Sequence, residues 1–325
     1  MSHAGSSVCT PSATKCVDAG AIKAGDSHVN PLWAIGLLLF AGGLLGMSPI
    51  LVRFSGVSAD ASAFWRVALA APLLCATAFL VPARPARPDQ ASPTSVGKAV
   101  IAGWMVLAGV FFAADLIACH VAIELTTAGN AILLANLAPV IIGLLGLVGL
   151  ARRPGRMFWF GLPFAGFGAW CLFRASDAGT GSMAGDAFGL LAAVFYAGYL
   201  IVIGRLRRHI GAAVTMSGTT VVTAIVIGVF AAIKGDLVAP TDMTGWLALA
   251  ALGILVHALG QGMVSVGLKS VDEATGSMVL LVQPFVATLL GALVLGEVLN
   301  GWHMLGNIAV VFALLIATRA RRRPA

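Results

Sequence analysis

Ten stretches of roughly 20 residues, each almost free of charge, run through this chain with short polar breaks between them. No other feature limits the fold as strongly. A bilayer core about 30 Å thick needs about 20 apolar residues per crossing helix. Strands of a membrane barrel would alternate apolar and polar residues over ~10 positions, and these runs do not alternate. Of the 325 residues, 59% are apolar and 10% charged, and the mean hydropathy is +0.97. That leaves too little charge to cover a soluble surface. The expected fold is all-α, a polytopic membrane protein of about ten transmembrane helices.

The runs predict spans at Leu32–Arg53, Ala59–Val81, Lys98–Ile123, Thr127–Leu150, Arg156–Phe173, Ala184–Leu206, Ala212–Ile233, Gly245–Leu268, Ala274–Leu295 and Gly301–Thr318. Trp33, Trp159, Trp246 and Trp302 fall near span starts, where indole prefers the interface. Sixteen of the 20 Lys and Arg lie in one set of alternating segments; Arg53, Arg174 and Lys234 lie in the other, and Arg66 lies within a span. A miscounted span would scramble that parity, so both termini are expected to face the cytoplasm. The same placement explains the net charge of +7 without nucleic acid as a partner. Residues 1–31 lack the compact regions of a signal peptide and read as a disordered cytoplasmic N-tail. Residues 319–325, with the Arg319–Arg323 cluster, read as a basic cytoplasmic C-tail. Cys75, Cys119 and Cys171 fall inside apolar runs, as small hydrophobes; Cys9 and Cys16 have no matching metal-ligand pair. No cofactor is expected.

The two halves resemble each other. A shift of 145 residues lays Leu137-Ala-Pro139 on Val282-Gln-Pro284, Leu144-Leu-Gly146 on Leu289-Leu-Gly291, Gly161 on Gly306 and Phe167 on Phe312. Five spans per half is an odd number, so the second copy sits upside down relative to the first. Inverted repeats of this kind underlie alternating access, with the solute site near the midplane.

At these residues the chain resembles the drug/metabolite transporter superfamily in its EamA-type branch. Gln283-Pro284, Leu289-Leu-Gly-Ala-Leu-Val-Leu-Gly-Glu297 and Gly306 match that family's terminal repeat. Pro139, Gly146 and Gly161 echo it in the first half, where Arg152 stands in place of the usual Glu. Phe64-Trp65-Arg66 resembles the family's aromatic-x-Arg element. The resemblance implies two inverted five-helix repeats, here 32–174 and 184–318, around a central cavity lined largely by helices 1, 3, 4, 6, 8 and 9. It also implies export of amino acids and other metabolites, or exchange of nucleotide sugars and phosphorylated compounds.

Ionisable groups in hydrocarbon cost about 2.5–3.5 kcal/mol on insertion scales, so each needs a reason to be there. Asp115, the carboxylate placed well away from a span end, suits a substrate amine or a coupled proton; a structural hydrogen bond or ion pair is the competing role. Arg66 can partner Asp115, bind a substrate carboxylate or extend to headgroups; its family element recurs across different substrates, which favours a structural or gating role. His257 and Gln261 are four apart and share a helix face, with Gly260 and Gly262 allowing close approach or local unwinding. His120 lies toward the far end of its span, where packing is the simpler role. Tyr196 and Tyr199 fall mid-span and need hydroxyl partners there. Ser48, Asn136 and Gln283 stand beside Pro49, Pro139 and Pro284, where a bent helix frees carbonyls. The expected substrate-contacting set is Ser48, Asp115, Asn136, Tyr196, Tyr199, His257, Gln261 and Gln283, with Arg66, Pro49, Pro139 and Pro284 structural or gating. For the amides, helix-to-helix glue is the alternative. Gly42-x-x-x-Gly46 suits internal packing in a multispan bundle.

These readings point to a secondary transporter, monomeric, in a bacterial inner membrane. It would move a small amphipathic solute such as an amino acid outward. No metalloprotease, hydrolase or nucleotide-binding motif appears, which disfavours an enzyme or an ATP-driven pump. An intramembrane enzyme, or an exchanger of nucleotide-sugar type, is the alternative. A channel would show rings of charge or a filter loop.

Overall fold

The computed structural model describes residues 31–80, 97–126, 128–151, 155–176, 182–271, 273–296 and 301–319. Residues 1–30 and 320–325 of the two tails, with Cys9 and Cys16, and Arg152 and Glu297 lie outside them. Every regular element among the described residues is helical. In lipid only a helix or a closed barrel can satisfy its own backbone.

Among the described residues the helices form ten rods. The first is α1 (Pro31–Gly46) with α2 (Ser48–Phe54), the second α3 (Ala59–Leu80) and the third α4 (Lys98–Leu125). The fourth is α5 (Ala128–Ala135) with α6 (Ala138–Leu147), and the fifth is α7 (Arg156–Ser176). The sixth and seventh are α8 (Met183–Leu206) and α9 (Ala212–Lys234). The eighth joins α10 (Met243–Ala251), a π-helical stretch (Leu252–Gln261) and α11 (Gly262–Gly267). The ninth is α12 (Glu273–Val279) with α13 (Val282–Leu295), and the tenth is α14 (Gly301–Arg319). Seven of these rods are long and apolar enough to cross a membrane, and shorter apolar stretches cover Ala131–Leu147 and Met304–Ala313.

Each rod coincides with one predicted span to within a few residues, but four are broken where continuous helices were expected. Pro49, Pro139 and Pro284 fall in the first turns of α2, α6 and α13, the positions where a missing N–H costs a helix least. The chain therefore restarts there. The eighth rod breaks differently: ten residues wind as a π-helix, ending at Gln261 beside Gly260 and Gly262. The fourth rod ends at Leu147, short of the expected Leu150, because Gly149 turns the chain at φ 81°.

Small residues set the closest approaches. A Cβ on Gly42 would lie 2.4 Å from Val282 Cγ1, and one on Gly46 would lie 2.7 Å from Val286 Cβ and 2.8 Å from the Gln283 carbonyl. The Gly42-x-x-x-Gly46 face thus seats α13, as internal packing. The contacts between rods also follow a rule. Third meets sixth as eighth meets first; fourth meets sixth as ninth meets first; third meets seventh as eighth meets second. Second with seventh, fourth with ninth and fifth with tenth each map onto themselves. A shift of five rods relates these contacts, whereas third with fourth and first with third lack a counterpart of similar extent.

Candidate functional site

A cavity of about 50 Å³ lies where the breaks converge, lined by residues from the first, second, third, fourth, sixth, eighth and ninth rods. Seven sequence-predicted residues meet there: Ser48, Arg66, Asp115, Asn136, Tyr196, Gln261 and Gln283. All seven are buried. Their helices bring them together because breaks at α2, α6 and α13 aim the polar residues beside each proline inward.

The polar atoms are incompletely satisfied. Arg66 donates Nη1 to Ser48 Oγ at 3.1 Å, while its Nε has no partner. Asn136 Nδ2 donates to the Ile132 carbonyl at 2.7 Å, one turn back, stitching the end of α5. Tyr196 OH, Gln261 Oε1 and Gln283 Nε2 are buried without partners. A buried polar group left unpaired costs about 1–3 kcal/mol, so a native fold that keeps four such atoms around one void has a use for them. Together they offer a guanidinium, a carboxylate, and both donors and acceptors.

Tyr199 and His257, expected in the site, stand one layer behind it. Phe112 occupies the lining position, stacked on Tyr199 at 4.5 Å and tilted against His257 at 5.4 Å. Tyr199, three residues on from Tyr196, is not among the residues lining the cavity, though the two rings stack at 5.9 Å. Tyr199 OH reaches Met216 Sδ at 3.7 Å, and His257 Nε2 lies 2.9 Å from Thr220 Oγ1. His257 is fully buried, and of the His/Gln pair Gln261 lines the cavity. Pro49 is buried at the start of α2. Pro139 and Pro284 face a smaller void of about 10 Å³ with Leu133, Leu162 and Leu281, and Asn136 borders both voids.

Sequence reading missed Phe112 and Cys119 in the lining. Both were legible from Asp115: they stand three before and four after it, on one face of α4.

The described residues form a helical bundle with an inward-facing polar pocket, and seven of its rods are long and apolar enough to cross a membrane. Residues 183–319 match the EamA-like transporter family, so the second half of the chain carries an EamA-like transporter domain, consistent with the EamA branch of the drug/metabolite transporter superfamily. Over 226 residues the chain is 25% identical to "Uncharacterized transporter YwfM" of Bacillus subtilis (strain 168), covering 66% of this chain and 74% of that one. A protein of known crystal structure, 20% identical, superposes with a TM-score of 0.67 over 89% of this chain and 99% of its own, which shows a shared fold.

Proposed function

We propose that this protein is a secondary transporter exporting a small zwitterionic or amphipathic solute, an amino acid or close analogue, by alternating access. The observation that carries the reading is the central cavity. It sets one carboxylate, Asp115, and one guanidinium, Arg66, among the unpartnered atoms of Tyr196, Gln261 and Gln283. One acid and one base match an ammonium and a carboxylate on the same solute. Nucleotide sugars and multiply phosphorylated compounds call for several cations, and Arg66 alone supplies charge of that sign.

Two inverted five-helix repeats, 32–174 and 184–318, are the moving parts in this reading. Support comes from the majority of rod contacts, which pair up under a shift of five rods, and from the helix breaks that recur at Asn136-Leu137 and Leu280-Leu281. Void size supports it as well. Ligand sites measure about 300–1,000 Å³, so a void of about 50 Å³ must widen to admit a solute, and rocking of the repeats supplies that opening. In this reading both termini face the cytoplasm of an inner membrane and the monomer is the working unit; the 16-to-3 split of Lys and Arg between alternate segments supports the orientation.

The test is uptake into proteoliposomes of a panel of radiolabelled amino acids against a nucleotide sugar. Saturable flux of at least one amino acid, lost in Tyr196→Ala and Asp115→Asn, is expected. Flux of the nucleotide sugar alone would reject the reading.

A further inference from the structure

Arg207 is a buried cation without an anion. It stands at the end of α8, 7% exposed. Its two hydrogen bonds go to neutral carbonyls, Nε to Ser265 O at 2.9 Å and Nη1 to Ile210 O at 2.6 Å. No carboxylate among the described residues pairs with it. A buried charge is ordinarily paired. Lys234, half exposed at the other end of the bundle, has Asp60; Arg207 lies deeper and has only carbonyls. A guanidinium carries five donors and these bonds use two, which leaves Nη2 for a ligand.

Polar groups lead from Arg207 to the central cavity along two rods. Ser265 of α11 is 1% exposed, and its Oγ has no partner. One turn before it stands Gln261, whose unpartnered Oε1 belongs to the cavity. On α8, Arg207 follows the cavity residue Tyr196 by three turns, on the same helix face and about 16 Å along the axis. These two rods do not pack side by side at this end: α8 lies on α4, α5 and α6, whereas α11 lies on α1, α9 and the π-helical stretch. The Arg207 side chain spans the space between them. Carbonyls in the last turn of a helix carry partial negative charge, enough to hold the guanidinium when no anion is present.

We propose that Arg207 is an anion-binding site at the mouth of a path to the cavity, taking the solute's carboxylate before Arg66 does and closing the mouth when empty. A carboxylate bears a full charge and binds a guanidinium more strongly than a carbonyl does. By engaging Nη1 and Nη2 it draws the side chain off Ser265 and frees α8 from α11. Ser265 Oγ and Gln261 then stand between the first guanidinium and the second. The neighbouring Arg205, exposed and bonded to the Leu150 carbonyl, adds to the positive field of the mouth, which repels cations. Resting on the transport reading above, this step gives the solute its first selection, for a negative group, ahead of the cavity.

The test needs no transported solute, because the cavity residue Cys119 serves as reporter. The full chain is placed with known orientation in vesicles of zwitterionic lipid, so that no anionic headgroup competes. Small anionic and cationic methanethiosulfonates, neither of which crosses lipid, are added at the Arg207 end. Mass spectrometry reads the adduct on Cys119, with Cys119→Ser as the blank, and each rate is divided by that reagent's rate with a free thiol in solution. The anionic reagent is expected to label faster by about tenfold or more, the advantage of a cleft of opposite charge. Arg207→Gln brings the two rates together, while Arg207→Lys and Arg205→Gln keep the preference. In the unaltered chain, propionate slows the anionic reagent and spares the cationic one, measured against chloride at the same ionic strength; this arm stands even where Arg207→Gln fails to fold. Absent labelling from this end, equal rates, an unchanged preference in Arg207→Gln, or indifference to propionate overturns the proposal. Missing solute flux with this labelling intact removes the transport reading and leaves the anion site standing.

Discussion

Tyr196 and Tyr199, three positions apart on one helix, experience different surroundings, and that contrast yields a sharp prediction. The Tyr196 hydroxyl faces the cavity beside Gln261 without a partner, whereas the Tyr199 hydroxyl touches only a thioether. Tyr196→Phe should therefore raise the KM for the transported solute by the worth of one hydrogen bond, about 0.5–1.5 kcal/mol or roughly 2- to 13-fold. Tyr199→Phe should leave flux kinetics within about twofold. Equal effects in a proteoliposome uptake assay would show that the Tyr196 hydroxyl does not meet solute. Polar residues inside apolar runs were easy to single out in the sequence, because each is costly there. Which of them reach the void was harder to read, since a 100° step per residue separates lining from support. His257 illustrates the limit: its Nε2 is met by Thr220, a residue on α9 that no local pattern connects to it, while its Nδ1 stays buried without a partner.

Among the elements, α1 and α13 are held together by an absence of side chain. A methyl on Gly46 would press on Val286 and on the Gln283 carbonyl, at 2.7 and 2.8 Å, and backbone yields less readily than a flexible side chain. Gly46→Ala should destabilise the bundle by about 1–3 kcal/mol and displace Gln283 from the cavity. Gly36→Ala, on the same helix with nothing within 4 Å, should leave stability unchanged or slightly raised, given the propensity difference of about 1 kcal/mol. Melting temperatures in detergent compare the two, and parity between them would rule out the close-packing account. Span positions were legible because hydropathy and length alone define a crossing helix. The prolines foretold three of the four breaks. The π-helical stretch was signalled only by Gly260 and Gly262, since winding with an extra residue per turn depends on what the neighbouring helices demand.

Across the whole molecule, polar ties join rods at opposite ends of the bundle. Lys234 pairs with Asp60 between α9 and α3. At the other end Arg207 donates Nε to the Ser265 carbonyl at 2.9 Å and Nη1 to the Ile210 carbonyl at 2.6 Å, fastening α8 to α11. Burial lowers the Arg207 guanidinium to about 10, so this tie stays charged through neutral pH. Arg207→Ala should lower stability by about 1.5–3 kcal/mol, the worth of hydrogen bonds from a charged donor, and should also raise exchange rates if release of this end is part of the cycle. A variant with unchanged melting temperature would contradict the clamp. A second expectation concerns orientation: reporters fused at the two tails should lie on one side, and a reporter inserted between Asp236 and Asp242 on the other. Opposite-side tails would break the inverted-repeat scheme.

The apolar runs by themselves determined the helical character of the described residues and the approximate position of each rod, because lipid imposes length, hydropathy and internal hydrogen bonding on any segment that crosses it. The tertiary structure alone decided which polar residues share the void, that Phe112 screens His257 and Tyr199 from it, and that Ser62 of α3 meets His120 of α4. Those relations join residues far apart in the chain, and they depend on helix rotation and close approach, which are set by packing between rods and not by any pattern along one of them.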